Sequence, residues 1–266
     1  MKDTLSAYQT HWHYDELDES LPTTADSAYF FRAWDWKVQI SASAGTPGRV
    51  VDVACGNARD ITWLSHQGWE AWGVDSSTQQ LIDARKAAAL AGQRIHLVRA
   101  VAEFLPFRSG TFDSLICKSA LDHFVDLDGA MKDFARVLQP NGRAVVSANN
   151  YGSFTTRFSR FLYKIVRAVW PAARRKQFLW DSPVPYQHTF ECTFDNIGAI
   201  GRPYFREIDR YGVSLLWGFP GWGRVVSFVP GPARELLLRG LNKVAAPAPR
   251  WADVFVYVWQ PKTAAS

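Results

Sequence analysis

Val50-Val51-Asp52-Val53-Ala54-Cys55-Gly56-Asn57-Ala58-Arg59-Asp60, followed by Trp72-Gly73-Val74-Asp75, is the stretch that decides the fold. A short β-branched run reads as a parallel strand buried on both faces. The small residues after it let the backbone turn tightly and approach a ligand at the start of a helix. An acid closing the next strand, 19 residues beyond Gly56, stands where it can accept hydrogen bonds from the two hydroxyls of a ribose. Together the two segments describe a nucleotide-type pocket.

The spacing of the small residues narrows the nucleotide. A dinucleotide fingerprint requires Gly-x-Gly-x-x-Gly. Counted from Ala54 and Gly56, its last position falls on Arg59, whose bulk and charge would obstruct a pyrophosphate at the helix N-terminus. The pattern Asp-x-small-x-Gly-x-small instead resembles the first motif of the class I, Rossmann-like methyltransferases, which take S-adenosylmethionine, a ligand with no phosphate to cradle. Ala54 and Ala58 depart from the usual form, standing where glycines are common.

Further segments resemble that family in its own order. Val74-Asp75-Ser76 is similar to the second motif, whose acid binds the ribose. Ala102-Glu103-Phe104-Leu105-Pro106-Phe107 resembles the segment after the third strand, which implies Glu103 near the adenine amino group and Ala102 and Phe104 against the ring. Phe112–Lys118, then Leu121-Asp122-His123-Phe124, resembles the fourth strand and its turn, facing the methionine part and the acceptor. Arg136–Arg143 and Ala144–Ser147 resemble the helix, Pro-Gly turn and fifth strand that close this half. The resemblance implies cofactor contacts at Asp52, Ala54, Gly56, Asn57, Asp75, Ser76, Ala102, Glu103, Phe104 and Lys118. In it, Asp52 organises the glycine turn, Arg59 reaches the methionine carboxylate or pairs with a neighbour, and an N-terminal tyrosine, Tyr8, lies near that carboxylate. It covers residues 45–150 well and is thin beyond them.

The implied fold is α/β: a doubly wound, mostly parallel seven-stranded sheet with an antiparallel last strand, a helical N-terminal segment and helical insertions after the fifth strand. Strands are expected near 49–54, 70–75, 95–100, 112–117 and 143–148, with helices over 58–68, 77–91 and 127–138. A short helix over 193–200 precedes a sixth strand near 203–211, and Trp251–Trp259 alternates as the last strand. The expected organisation is one domain over 1–266. It comprises a helical cap (1–44) with Tyr29–Phe31 and Trp34–Trp36 over the pocket mouth and a cofactor-binding core (45–150). Acceptor-site insertions (151–201, 213–248) and closing strands (202–212, 249–260) complete it. At 266 residues and 47% hydrophobic, the chain can bury a full core. Three cysteines far apart, without Cys-x-x-Cys spacing, suggest neither zinc nor disulfides and fit a reducing compartment. The N-terminus lacks an apolar signal region, and no run reaches the roughly 20 apolar residues of a membrane span, so a cytoplasmic location is expected.

Charge divides the chain. Residues 1–150 carry 14 Lys+Arg against 18 Asp+Glu, and residues 151–250 carry 15 against 6, so the basic character belongs to the back half. Ser153–Lys176 holds seven cations and no acid. Arg157, Arg160, Lys164 and Arg167 recur at helical spacing, with Phe154, Phe158, Phe161, Ile165 and Val169 expected on the opposite side. This basic amphipathic helix has three readings: a lid packed on its own domain, a lid that also touches a membrane through 153–176, and a nucleic-acid face. Large aliphatic residues among the cations disfavour the last.

The chemistry follows from the donor. A sulfonium methyl is already activated, so the main task is to align an acceptor with it. For a hydroxyl acceptor, His123 and His188, in the Pro183–His188 loop, are candidate bases, with Asp122 as an orienting partner. Both histidines also read as ordinary polar loop residues. His11 and His13 have no third ligand at metal-site spacing. Trp170, Trp180, Trp217 and Trp222 suit the wall of a site for an apolar acceptor. The expected activity is methyl transfer to a small hydrophobic acceptor such as a quinone precursor, isoprenoid, lipid or polyketide-like molecule. A nicotinamide-dependent oxidoreductase and a non-catalytic binding protein on the same fold are the alternatives.

Overall fold

Alternate residues of the central strands serve opposite faces of one sheet. Val51, Val53, Leu115, Cys117, Val146 and Phe255 enter one buried cluster, while Val50, Ile116, Val145, Val254 and Val256 enter the other. That period of two is what a sheet covered on both faces demands. The computed structural model describes residues 24–175 and 190–262. Helix α1 (Ala25–Ala42) leads into β1 (Arg49–Val53), α2 (Arg59–His66), β2 (Glu70–Asp75), α3 (Thr78–Leu90) and β3 (His96–Arg99). Next come β4 (Phe112–Lys118), a 3-10 turn at Leu121–His123, α4 (Leu127–Val137) and β5 (Leu138–Asn149). Helix α5 (Phe154–Val169), a 3-10 turn at Pro171–Arg175, α6 (Phe194–Gly201), β6 (Phe205–Val213), α7 (Trp222–Ser227), α8 (Gly231–Ala245) and β7 (Val254–Pro261) complete the described chain.

The seven strands run in the order β3-β2-β1-β4-β5-β7-β6. The β1, β2, β3, β4 and β5 ladders are parallel, and β7 is antiparallel to both β5 and β6. The carboxyl ends of β1, β2, β4 and β5 therefore share one edge, where β6 also ends and β7 begins. Strand β5 starts at Leu138, before the expected 143. Leu138 pairs with Phe112, and the register then shifts before Arg143 rejoins opposite Ser114, so the Pro140-Gly142 turn interrupts a longer strand.

Helix α1 differs from its expected role. Phe30, Trp34 and Val38 are fully buried with Val50, Ile116, Val145 and Val256. They build the core of one sheet face instead of covering the pocket mouth. The helix runs against the strands: Trp34 Nε1 donates to Ser147 Oγ near the carboxyl end of β5 (2.9 Å), and Ser41 O accepts from Arg143 Nη1 near its beginning (3.1 Å). Phe30 stacks on Trp217 at 4.0 Å between ring centroids, joining α1 to the insertion after β6.

Helix α5 does not pack its aromatic face on its own domain, as the lid reading alone expects. Its buried residues are Thr155, Thr156, Ser159 and Tyr163, while the phenylalanine stripe faces outward. The small polar face is held by a buried network centred on Asn150, whose Nδ2 donates to the carbonyls of Pro249, Arg250 and Ala252 (3.0–3.1 Å). Thr156 Oγ1 donates to Asn150 O (3.3 Å), and Leu216 N–H donates to Thr155 Oγ1 (3.0 Å). Satisfied buried hydrogen bonds of this kind are costly to break, which fixes the helix by its hydroxyls.

Asp253 belongs to the same network, its Oδ2 accepting from Trp217 N–H at 2.8 Å. Burial pushes its carboxyl up to about 6, with hydrogen bonds from Thr155, the Trp217 amide and Ser214 offsetting part of the rise. The folded state therefore holds this proton more tightly than the unfolded chain, so the associated stability is present at low pH and lost as pH rises through about 6. The thermal midpoint of the wild type, relative to Asp253→Asn, is expected to fall as pH rises from about 4 to about 7. Scanning calorimetry across that range checks it, and parallel curves would refute it.

Candidate functional site

The turn after β1 takes an unusual path. Ala54, Gly56 and Ala58 all adopt left-handed backbone, at φ 57°, 49° and 58°. Gly56 does so freely, whereas each alanine costs about 1–2 kcal/mol against an ordinary conformation. The positions where the family commonly carries glycine are thus glycine-like in shape, although two of them bear a methyl group. Ala58 N–H donates to Cys55 O (2.7 Å) and Cys55 N–H to Val74 O (3.0 Å), which ties the turn to β2.

Asp75, the last residue of β2, closes the rim. Its buried carboxylate accepts from Gly56 N–H through Oδ2 (3.0 Å) and from Ser77 N–H through Oδ1 (2.9 Å). The hydroxyl of Ser77 in turn caps α3 by accepting from Gln80 N–H, and Arg99 Nε holds the Ser76 carbonyl (2.9 Å). One side chain therefore sets the spacing of both loops.

Beneath the turn lies a buried charge cluster. Burial raises the Asp52 carboxyl well above its usual range; Asp60 adds to the rise, Lys118 opposes it, and Asp75 adds further. Lys118 Nζ lies 2.7 Å from Asp35 and 2.5 Å from Asp60. Burial works against its charge, but Asp60 and Asp35 outweigh burial and hold the ammonium above its ordinary pKa. Arg59 Nη1 pairs with Asp35 (3.1 Å), and Gln39 Nε2 donates to Asp60 (2.9 Å). Lys118 and Arg59 are thus engaged in fastening α1 to β4 and α2.

The opposite wall comes from residues 101–126. Val101 and Ala102 are buried, and Phe104 is half-exposed. Glu103 is buried, and its Oε1 accepts from both Val125 and Asp126 N–H (3.1 Å each). It braces the segment after the 3-10 turn, a role its sequence position did not announce. His123 Nε2 lies 3.8 Å from Asp122 Oδ1, an ion-pair distance longer than a hydrogen bond. Tyr151, just past β5, lies near Asp122 at this edge and was not singled out from the sequence. Burial raises its phenol, with Asp122 and Glu191 adding and Arg160 opposing. Arg160 grips Glu191 with two nitrogens (2.7 and 3.1 Å), and its guanidinium lies 5.2 Å from the Tyr151 ring centroid. The signal was available in Asn149-Asn150-Tyr151, which must emerge at the edge where β5 ends.

The structure therefore gathers Asp52, the 54–58 turn, Asp75, Ser76, Lys118 and Arg59 around the ends of β1, β2 and β4, with Glu103, Asp122 and His123 across the edge. Tyr8, His11, His13, Trp180 and His188 lie outside the described residues. Among the described residues no group of three or more His, Cys, Asp or Glu is placed to hold a metal. Cys55, Cys117 and Cys192 are buried free thiols whose pKa burial raises well above the usual range, which makes them poor nucleophiles. Of the tryptophans expected to wall an acceptor site, Trp217 stacks on Phe30 and Trp170 is exposed.

Lys118→Ala would leave Asp35 and the buried Asp60 facing each other without their shared cation. The expected cost is about 3 kcal/mol, read as a lower urea midpoint at neutral pH; a loss under about 1 kcal/mol would contradict the structural role.

Residues 51–146 match a family model described as a methyltransferase domain, a span that runs from β1 into β5. Over 135 residues the chain is 32% identical to a demethylmenaquinone methyltransferase of Thermus thermophilus, covering 50% of this chain and 59% of that protein. The corresponding protein of Mycolicibacterium gilvum is 30% identical over 157 residues, 58% of this chain and 64% of its own length. This chain thus spans less than two thirds of either relative. In fold it is similar to a crystal structure from Thermotoga maritima described as a SAM-dependent methyltransferase, possible histamine N-methyltransferase. The TM-score is 0.58 at 15% identity, covering 88% of this chain and 92% of that one.

Proposed function

We propose, from a chain that belongs to the class I, Rossmann-like methyltransferases, that the protein moves a methyl group from S-adenosylmethionine to a small hydrophobic acceptor of quinone type. The observation that carries the reading is the Asp75 carboxylate at the end of β2, 3.0 Å from the amide of a left-handed Gly56. A buried acceptor-only group beside a compact turn fits a ribose diol next to an uncharged stretch of nucleoside. The acceptor class is drawn from the relatives named demethylmenaquinone methyltransferase and ubiquinone/menaquinone biosynthesis C-methyltransferase.

The residues fit the donor, and each has its task. Asp75 accepts from the sugar hydroxyls, while Gly56 and Asn57 line the turn against the nucleoside. Asp52 and the Lys118 cluster hold that turn in place from below. Ala102 and Phe104 present apolar surface to the base. The sulfonium, when bound, supplies an activated methyl whose departure leaves the electron pair on sulfur, and the acceptor gives up one proton. His123, beside Asp122, takes a proton from a phenolic hydroxyl, which raises electron density at the neighbouring ring carbon; that carbon bonds the methyl, its own hydrogen leaves as the net proton, and the oxygen regains its proton as the aromatic ring is restored. Positioning accounts for most of the rate, because the methyl needs no further activation.

The test is incubation of the purified protein with methyl-labelled S-adenosylmethionine and a demethylated naphthoquinol, with labelled product identified by mass spectrometry. Asp75→Ala is expected to weaken donor binding at least tenfold by calorimetry, about 1.4 kcal/mol, the worth of one charge-assisted hydrogen bond. His123→Ala is expected to lower kcat by about 10²-fold or more with donor affinity intact. Unchanged donor affinity in Asp75→Ala would remove the ribose assignment, and full turnover in His123→Ala would remove the base.

A further inference from the structure

Helix α5 carries its apolar residues on the side that faces away from the protein. Phe154, Phe158, Phe161, Ile165 and Val169 form one stripe and are 48%, 40%, 56%, 45% and 76% exposed. At about 100° per residue, the buried Thr155, Thr156, Ser159 and Tyr163 form a second sector and the cations at 157, 160, 164 and 167 a third, so the cations flank the stripe and do not oppose it. A helix that simply needed a core would turn its phenylalanines inward. Here the hydroxyl face is locked inward by Asn150, Ser153 and Leu216, and the outward stripe is the fixed consequence.

The apolar surface does not end with the helix. Phe158 stacks on Phe154 and on Phe219, both at 5.8 Å, which extends the surface onto the segment after β6. Val225 and Phe228, at α7 on that same segment, are 57% and 81% exposed. Arg157, Lys164 and Arg174 are exposed along α5 and the turn after it, in a stretch of seven cations without one acid. Among the described residues no helix is long and apolar enough to cross a membrane. An apolar stripe bordered by cations, on a helix that cannot span, matches the layering of an anionic bilayer surface, with acyl chains beneath the plane and phosphates above it. A second copy of this chain would bring like charges together around the same stripe, which disfavours it as the occupant.

We infer that α5, with Phe219 and the α7 segment, is a membrane-docking face that seats the protein on anionic lipid and opens its acceptor site at the lipid boundary. The placement gives the face its purpose. Helix α5 begins five residues after β5 ends, beside Tyr151 and the Asp122-His123 turn, so the helix borders the edge where the methyl acceptor is proposed to enter. A hydrophobic acceptor dissolved in the bilayer then reaches the site without crossing water. This last step rests on the proposed methyl transfer; the docking itself does not.

The experiment separates the two. Wild-type protein is mixed with phosphatidylcholine vesicles with and without phosphatidylglycerol, with no donor or acceptor present, and sedimented. Binding is expected on the anionic vesicles only, reduced at least tenfold by Phe158→Ser with Phe161→Ser, and reduced by Arg157→Gln with Lys164→Gln in a salt-sensitive manner. These exposed positions leave thermal midpoint and donor affinity unchanged, which keeps the comparison clean. Failure of the wild type to sediment, binding indifferent to the phenylalanine pair, or a stable dimer disrupted by that pair would each overturn the docking face. For delivery, the phenylalanine pair is expected to slow methylation of a vesicle-embedded long-chain quinol at least tenfold and to spare a water-soluble short-chain one. Equal rates on both, or equal losses on both, would overturn delivery and leave donor binding unaffected.

Discussion

The carboxylate of Asp75 has two oxygens, and the structure uses one for the loop after β1 and the other for the loop after β2. Parallel strands alone leave their terminal loops independent, since the ladder stops where the strands stop. A buried acceptor shared by two amides couples them, and it does so where burial strengthens each hydrogen bond. The distance between the Gly56 turn and the start of α3 is therefore set by a single side chain. A ligand arriving at this edge meets a gap of fixed width, bounded by amides that are already aligned.

A second constraint works from below. The Lys118 ammonium gathers Asp35 from α1 and Asp60 from α2 while itself standing at the end of β4. Three elements distant in sequence are thereby referred to one point under the turn. Exposed ion pairs contribute little, but here Asp60 is almost wholly buried, so the charges stabilise only as a set. Burial raises the proton affinity of Asp52 at the foot of the turn, with Asp60 of the same cluster adding to the rise and Lys118 opposing it. Electrostatics and backbone geometry converge on one strand end.

Much of this was legible in the chain. The β-branched run within Arg49–Val53 and the apolar stretch within Glu70–Asp75 stand within one residue of the strands expected there, because a strand buried on both faces must be apolar at consecutive positions. The acid at position 75 was legible for the same reason, since polar groups are rare at such a strand end without a task. Less was legible where a residue's partner is remote in sequence. Glu103 reads as a ligand contact in its local motif, and its Oε1 also braces amides more than twenty residues away, which the motif does not report. Lys118 and Asp35 are 83 residues apart, and no periodicity reports that separation. Helix α5 exposes the limit of amphipathic reasoning: the pattern identified the stripe correctly, but the inward face was decided by hydroxyls meeting Asn150, an interaction that hydropathy does not measure.

The left-handed alanines carry a further consequence. A methyl group at Ala54 and Ala58 excludes many of the conformers that glycine would visit, so once the fold has forced these residues into that shape they have few alternatives nearby. The turn then behaves as a rigid mould. Ordering entropy that a glycine-rich loop would surrender on meeting its ligand has here already been surrendered during folding. Such a turn is shaped in advance, at the expense of the free protein's stability, and it forgoes the pliancy of a glycine-rich loop.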